Sequence, residues 1–163
     1  MMQTRLRLLL DLVDEAFDRK AWHGTTLLGS IRGVAAGAAA WRPAPRRHNI
    51  WELTVHAAYW KYAVRRLLAD EKRGSFALEG SNWFTRPAAK LGGQERAWRD
   101  EVRLLVAEHR RLRETIAALP ERALERRLEG KRYTAAFTIR GIAAHDLYHA
   151  GQIQLIKRLH ASR

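Results

Sequence analysis

Two histidines four residues apart on one predicted helix have the spacing needed to bind a single metal ion together. His145 and His149 project from the same face of that helix, one turn apart. They continue an apolar stripe with Ile142, Ile153 and Ile156, so we expect both imidazoles to face a buried side. A chain with seven histidines contains such a pair by chance often enough that the spacing needs support from another helix.

His56 offers that support from a second helix. It lies between Leu53 and Trp60 on the apolar face of a helix predicted over about 49–72. Three histidines without an obvious fourth protein ligand are typical of a metal site with open positions, where Zn²⁺ polarises a carbonyl or lowers the pKa of bound water. Ni²⁺ and Fe²⁺ also accept imidazole, so the ligand set does not select the metal. The alternative is a buried polar cluster held by hydrogen bonds.

The remaining histidines have weaker patterns. His23 and His48 flank helix breaks and are expected near the mouth of the site or at the surface, and His160 lies close to the C-terminus. His109 stands among charged residues, which predicts a solvated face. Asp146 follows His145 and points about 100° away around the helix, which favours a surface or helix-contact role over metal ligation.

Tryptophans, one glycine and one glutamine complete the candidates. Trp51, Trp60 and Trp98 fall at helical spacing and are predicted to be core, whereas the tryptophans near breaks favour core or interface over ligand binding; these are Trp22, Trp41 and Trp83. Gly151 lies inside a helix, which predicts close approach of another helix. Gln152 is a candidate hydrogen-bond partner for the site or an exposed residue.

The elements that must position these residues are all helical. Periodicity predicts helices over about 3–19, 24–35, 49–72, 94–118 and 138–159, with a long loop at 73–92. Thr138 is a plausible cap for the last helix, and 134–137 could be extended. We therefore expect one all-α domain over 1–163, an up-down four-helix bundle with a broken or additional helix near the N-terminus.

Composition narrows the function classes. The chain has no cysteine, which excludes disulfides, thiolate metal ligands and a thiol nucleophile of its own. The net charge is +13, but basic residues are dispersed and mixed with acids, so nucleic-acid binding is the less favoured interpretation. No apolar run is long enough to span a membrane, and the charged first 20 residues do not read as a signal peptide, so a cytoplasmic location is expected.

Two segments carry a family resemblance. Residues 48–60, HNIWELTVHAAYW, resemble the second-helix motif of the DinB-like (YfiT-like) metalloenzymes, and residues 145–153, HDLYHAGQI, resemble their last-helix motif. The break at Trp41-Arg42-Pro43 also matches. The resemblance implies a four-helix bundle with a three-histidine metal site at His56, His145 and His149, and a homodimer.

The resemblance also implies possible reactions. Some relatives resemble transferases that use the thiols bacillithiol or mycothiol, and one branch resembles a maleylpyruvate isomerase. We therefore expect a divalent-metal-dependent hydrolase or low-molecular-weight-thiol S-transferase acting on a small molecule, with no assigned general base. The alternatives are a non-catalytic metal-containing stress-response or binding module, and a weak nucleic-acid binder.

Overall fold

Four long helices dominate the computed structural model, which describes residues 4–72, 74–87 and 93–163. They are α1 (Thr4–Phe17), α4 (Ile50–Leu68), α5 (Gln94–Ala117) and α6 (Ala135–Ala161). Two short helices, α2 (Leu27–Ile31) and α3 (Ala36–Ala40), lie between α1 and α4, and a 3₁₀ helix spans Glu121–Glu125. The described residues contain no strand, only an isolated bridge. The predicted all-α bundle is confirmed, and so is the additional helix near the N-terminus.

Side-chain caps set where α4 and α6 begin. Asn49 accepts a hydrogen bond from the Glu52 backbone N–H, as its position before the apolar run predicts. Thr134, not Thr138, caps α6 by accepting from the Phe137 N–H. The predicted start of the last helix is therefore three residues late, and of residues 134–137 only Thr134 is extended. A bridge between Arg127 and Thr134 ends the extended segment at Thr134, so the helix begins directly after it.

The helices do not strictly alternate in direction. α4 and α6 are antiparallel, because the first half of α4 and the last half of α6 pack in one apolar cluster, and the end of α4 and the start of α6 pack in the other. In contrast, α4 and α5 run the same way, because Trp51 near one start packs on Trp98 near the other. The expected up-down alternation is thus interrupted between α4 and α5, since the long connection 69–93 lets α5 begin at the same end as α4.

The core consists of two apolar clusters, one toward each end of the bundle. One contains Phe17, Leu27, Trp51, Leu53, Trp98, Leu105 and Ile153. The other contains Leu6, Leu10, Val64, Leu68, Leu112, Ile116, Ile139 and Ile142. Each long helix carries a buried polar residue near the point where its contributions pass from one cluster to the other: Asp14, Lys61, His109 and Asp146. We call these four residues the polar layer.

An ion pair between α4 and α6 dominates the polar layer. Lys61 Nζ donates to Asp146 Oδ2 at 2.5 Å, and both residues are 0% exposed. Burial raises the pKa of the Asp146 carboxyl, and the Lys61 ammonium opposes that rise. Asp146 is therefore a helix-contact residue, as expected from its angle to His145.

His109 is the clearest wrong prediction, because its ring is buried and not on a solvated face. It stacks on Phe17 with ring centroids 3.7 Å apart. Burial lowers its pKa to about 2, with smaller contributions from the positive charges of Lys61 and Arg113. The ring is neutral at pH 7, so its 3.9 Å approach to Asp14 is not an ion pair. Charged sequence neighbours misled the prediction, since adjacent residues on a helix face different directions.

Breaking the buried ion pair should cost much more than replacing it. We expect Lys61→Met to lower the free energy of unfolding by roughly 3–5 kcal/mol, because Asp146 would stay buried without its counter-charge. The double variant Lys61→Met/Asp146→Leu should recover most of that loss. Urea unfolding followed by circular dichroism measures both values. Equal losses in the single and double variants would contradict a mutual neutralisation.

His109 should make the metal-free protein less stable as the pH falls. Its folded pKa is about 2, below the ordinary value of 6.5, so the unfolded chain binds a proton that the folded chain rejects. Its stabilising contribution is complete above about pH 6.5 and is lost as the pH falls further. Between pH 6 and 5, wild type should lose up to about 1.4 kcal/mol per pH unit more than His109→Leu. Parallel stability profiles from urea unfolding in EDTA would refute a neutral His109.

Candidate metal centre

Three imidazoles from two helices converge between α4 and α6. His56 lies at the end of the second turn of α4, and His145 and His149 occupy successive turns near the middle of α6. The Nε2 atom of His145 is 3.1 Å from that of His56 and 3.1 Å from that of His149. One ligand atom from each of the three lies within 4.8 Å of the other two. The structure therefore brings together the three histidines that the sequence selected.

Hydrogen bonds on the far side of two rings orient them toward this point. His56 Nδ1 lies 2.8 Å from the Asn82 carbonyl oxygen, which can only accept, so Nδ1 carries the proton and donates. His149 Nδ1 lies 2.6 Å from Gln152 Oε1 and donates in the same way. In neutral rings, both Nε2 atoms are then unprotonated and present lone pairs to His145. His145 Nδ1 is buried, with no hydrogen-bond partner among the described residues.

Burial keeps all three rings neutral. It lowers the pKa of His56 to about 4, against a smaller opposing effect of the hydrogen bond to Asn82. It lowers the pKa of His145 to about 3, helped by the two neighbouring histidines, and it also lowers that of His149. At neutral pH none of the three rings therefore carries the second proton that would make it a cation and repel a metal ion.

This arrangement fits a divalent cation better than a hydrogen-bonded cluster. His145 Nε2 can donate one proton at most, so at least one of its two neighbouring lone pairs would lack a donor. Zn–N bonds of about 2.0–2.1 Å in a tetrahedral site separate two ligand nitrogens by about 3.3 Å, close to the 3.1 Å observed. No carboxylate joins the group among the described residues, so a cation here would keep open positions.

A stack of three rings forms one wall of the site. Trp83 lies against His56 with centroids 3.8 Å apart, and His48 lies on Trp83 at 3.6 Å. Trp60 Nε1 donates to Asn82 Oδ1 at 2.9 Å, which ties the same segment to α4. The expectation that His48 lies near the mouth is met. The role of Asn82 was not predicted, because its backbone carbonyl accepts the hydrogen bond from His56, and any residue type has such a carbonyl.

Glu52, buried in the first turn of α4, anchors the segment that carries this wall. Its carboxylate accepts from both terminal nitrogens of Arg42, from His48, and from the Arg86 backbone N–H. Burial raises the pKa of Glu52, but these hydrogen bonds outweigh it and hold the pKa below its ordinary value. The Arg86 side chain in turn donates to both oxygens of Glu101 in α5. The loop is thus fixed to both α4 and α5.

Several other expectations are corrected or confirmed. Trp51 and Trp98 are core as predicted, but Trp60 is 36% exposed, because it lies at the outer edge between α4 and α6. His23 is exposed and takes no part in the group. Gly151 is exposed, and a Cβ there would meet nothing within 4 Å, so no neighbouring helix explains it.

Comparisons with known proteins agree with the geometry. A family model described as the DinB superfamily matches residues 7–153, nearly the whole chain and all three histidines. No curated protein and no solved structure matches the chain. None of the helices in the described ranges combines the length and apolar character needed to cross a membrane. The bundle, its three converging histidines and this match lead to one conclusion: the chain belongs to the DinB superfamily.

Proposed function

We propose that this protein is a metal-dependent enzyme whose divalent ion is held by the Nε2 atoms of His56, His145 and His149. The observation that carries the proposal is the convergence of three neutral imidazoles with no carboxylate among them in the described structure. Three protein ligands with open positions are typical of catalytic sites, whereas structural zinc sites are closed by a fourth protein ligand.

The residues of the chain prepare the site in three ways. Burial keeps the imidazoles neutral, and the Asn82 carbonyl and Gln152 select the tautomer that leaves Nε2 free in His56 and His149. Trp83 stacks on His56 and shields one side from solvent. A divalent ion bound here supplies Lewis acidity, which polarises a carbonyl or lowers the pKa of a coordinated water or thiol.

The proposed reaction class depends on two features, the absence of cysteine from the chain and the open coordination positions of the proposed metal ion. With no cysteine, any thiol must arrive as a small molecule. We therefore propose a hydrolase if water is the nucleophile, or an S-transferase if a low-molecular-weight thiol is. Zn²⁺, Ni²⁺ and Fe²⁺ are all compatible with three imidazoles.

Metal content is the first test. Purified wild type, dialysed and measured by elemental analysis, should hold about one divalent ion per chain, and His56→Ala and His149→Ala should each hold less than about a tenth of that. His23→Ala is the matched control, because His23 is exposed and lies outside the group. Equal metal in His149→Ala and wild type would refute the ligand set.

Turnover is the second test. Metal-free protein reloaded with Zn²⁺, Ni²⁺ or Fe²⁺ should convert members of a panel of ester, amide and epoxide electrophiles, with the thiol added or omitted. Conversion in water alone identifies a hydrolase, and conversion that needs the thiol identifies a transferase. A loaded protein that converts none of them would favour the non-catalytic binding module.

Gln152 should tune metal affinity without contributing a ligand. Loss of a partner that orients a ligating histidine typically weakens metal binding about 10–100-fold. We expect that loss in Gln152→Leu, measured by competition with a chromophoric chelator. Gln154→Leu is the control, because Gln154 lies on the same helix and makes no hydrogen bond to the three histidines in the described structure. Equal affinities in the two variants would show that the Gln152 contact has no orienting role.

A further inference from the structure

We infer that the substrate of this site carries a compact apolar group, aromatic or branched alkyl, attached close to its metal-binding atom. The inference rests on the proposed metal centre and adds the substrate class. It comes from an apolar groove that opens between α4 and α6 directly beside His145. The groove is lined by Trp60 and Val64 of α4 and by Phe137, Gly141, Ile142 and His145 of α6.

The groove continues the two helix faces that carry the histidines. On α4, His56, Trp60 and Val64 follow one another at steps of four residues. On α6, His149, His145, Gly141 and Phe137 do the same. Residues at this spacing share a face, and α4 and α6 are antiparallel, so the two rows run along opposite walls. The imidazoles lie at one end of these rows and the apolar residues at the other, and His145 belongs both to the centre and to the groove lining, so a group in the groove would lie beside this ligand.

Of the side-chain polar atoms that line the groove, only the Tyr133 hydroxyl and the buried His145 Nδ1 lack a hydrogen-bond partner among the described residues. Thr138 lines it, but its hydroxyl donates to the Thr134 carbonyl, and the Trp60 indole N–H donates to Asn82. At the outer end Tyr133 stacks on Phe137 with centroids 4.5 Å apart. A polar substituent would lose its hydration here without gaining partners, whereas an apolar one would bury surface against aromatic rings.

Gly141 keeps this space open. Glycine inside a helix is about 1 kcal/mol less favourable than alanine, and here no close neighbour requires it, because a Cβ would meet nothing within 4 Å. Gly141 lines the groove, so a larger side chain at this position would occupy the space. The volume of about 200 Å³ exceeds the roughly 150 Å³ that suffices for benzene in an apolar protein cavity.

A pair of hydroxamates tests the inference on the zinc-loaded protein. Acetohydroxamate and benzohydroxamate offer the same metal-binding atoms and differ in a methyl against a phenyl group. We expect benzohydroxamate to bind at least about tenfold more tightly by isothermal titration calorimetry, because its ring is removed from water. In Gly141→Leu this preference should fall to near one, with acetohydroxamate affinity and zinc content unchanged.

Gly151→Leu is the matched control, because Gly151 is exposed on the same helix, has equal free space and lies outside the groove. It should retain the tenfold preference. A preference that survives in Gly141→Leu, or is absent from wild type, would overturn the inference. Analytical ultracentrifugation gives a further contradicting outcome. If Gly141→Leu changes the oligomeric state and keeps the preference, the groove is a contact between copies of the chain and not a substrate site.

A protein that binds neither zinc nor acetohydroxamate would refute the metal centre itself, and the substrate inference with it.

Discussion

A buried charge in the middle of the bundle constrains the rest of the structure. Lys61 and Asp146 are both fully buried, and neither could be tolerated there as an ion without the other. Their pairing holds α4 and α6 in one register, because a shift of either helix by a residue would separate the charges. Asp146 directly follows His145, and Lys61 lies five residues after His56. The register that neutralises the charge is therefore also the register in which the imidazoles meet.

Residues 82 and 83, in the loop before α5, cover one side of the three-histidine site. Trp83 and Asn82 contact His56, and Glu52 and Glu101 hold Arg86 of the same loop by hydrogen bonds. These hydrogen bonds to ionised groups are stronger than neutral ones and are partly buried. The stacked rings on one side and the apolar groove on the other border the space at the histidines.

Much of this architecture was predictable from local pattern. Three- and four-residue periodicity identified the long helices, and Asn49 marked the start of α4, because these signals depend on neighbours within a turn. The same periodicity placed His56, His145 and His149 on inward faces. It was wrong for His109, which is buried against Phe17, and for Trp60, which is partly exposed. In both cases the exposure of the side chain depends on how the helix packs against a neighbouring helix.

By itself the sequence determined the four long helices, the absence of a thiol of the protein's own and the identity of the three histidines, since each depends on residue type and on spacing along one helix. Only the tertiary structure decided that Lys61 faces Asp146, that Asn82 and Gln152 orient two of the imidazoles, and that a groove lined by Gly141 lies beside His145. It also decided that α4 and α5 run in the same direction. The physical reason is that hydrogen bonds, ion pairs and cavities between helices depend on helix register and direction, and neither is recorded in the periodicity of a single helix.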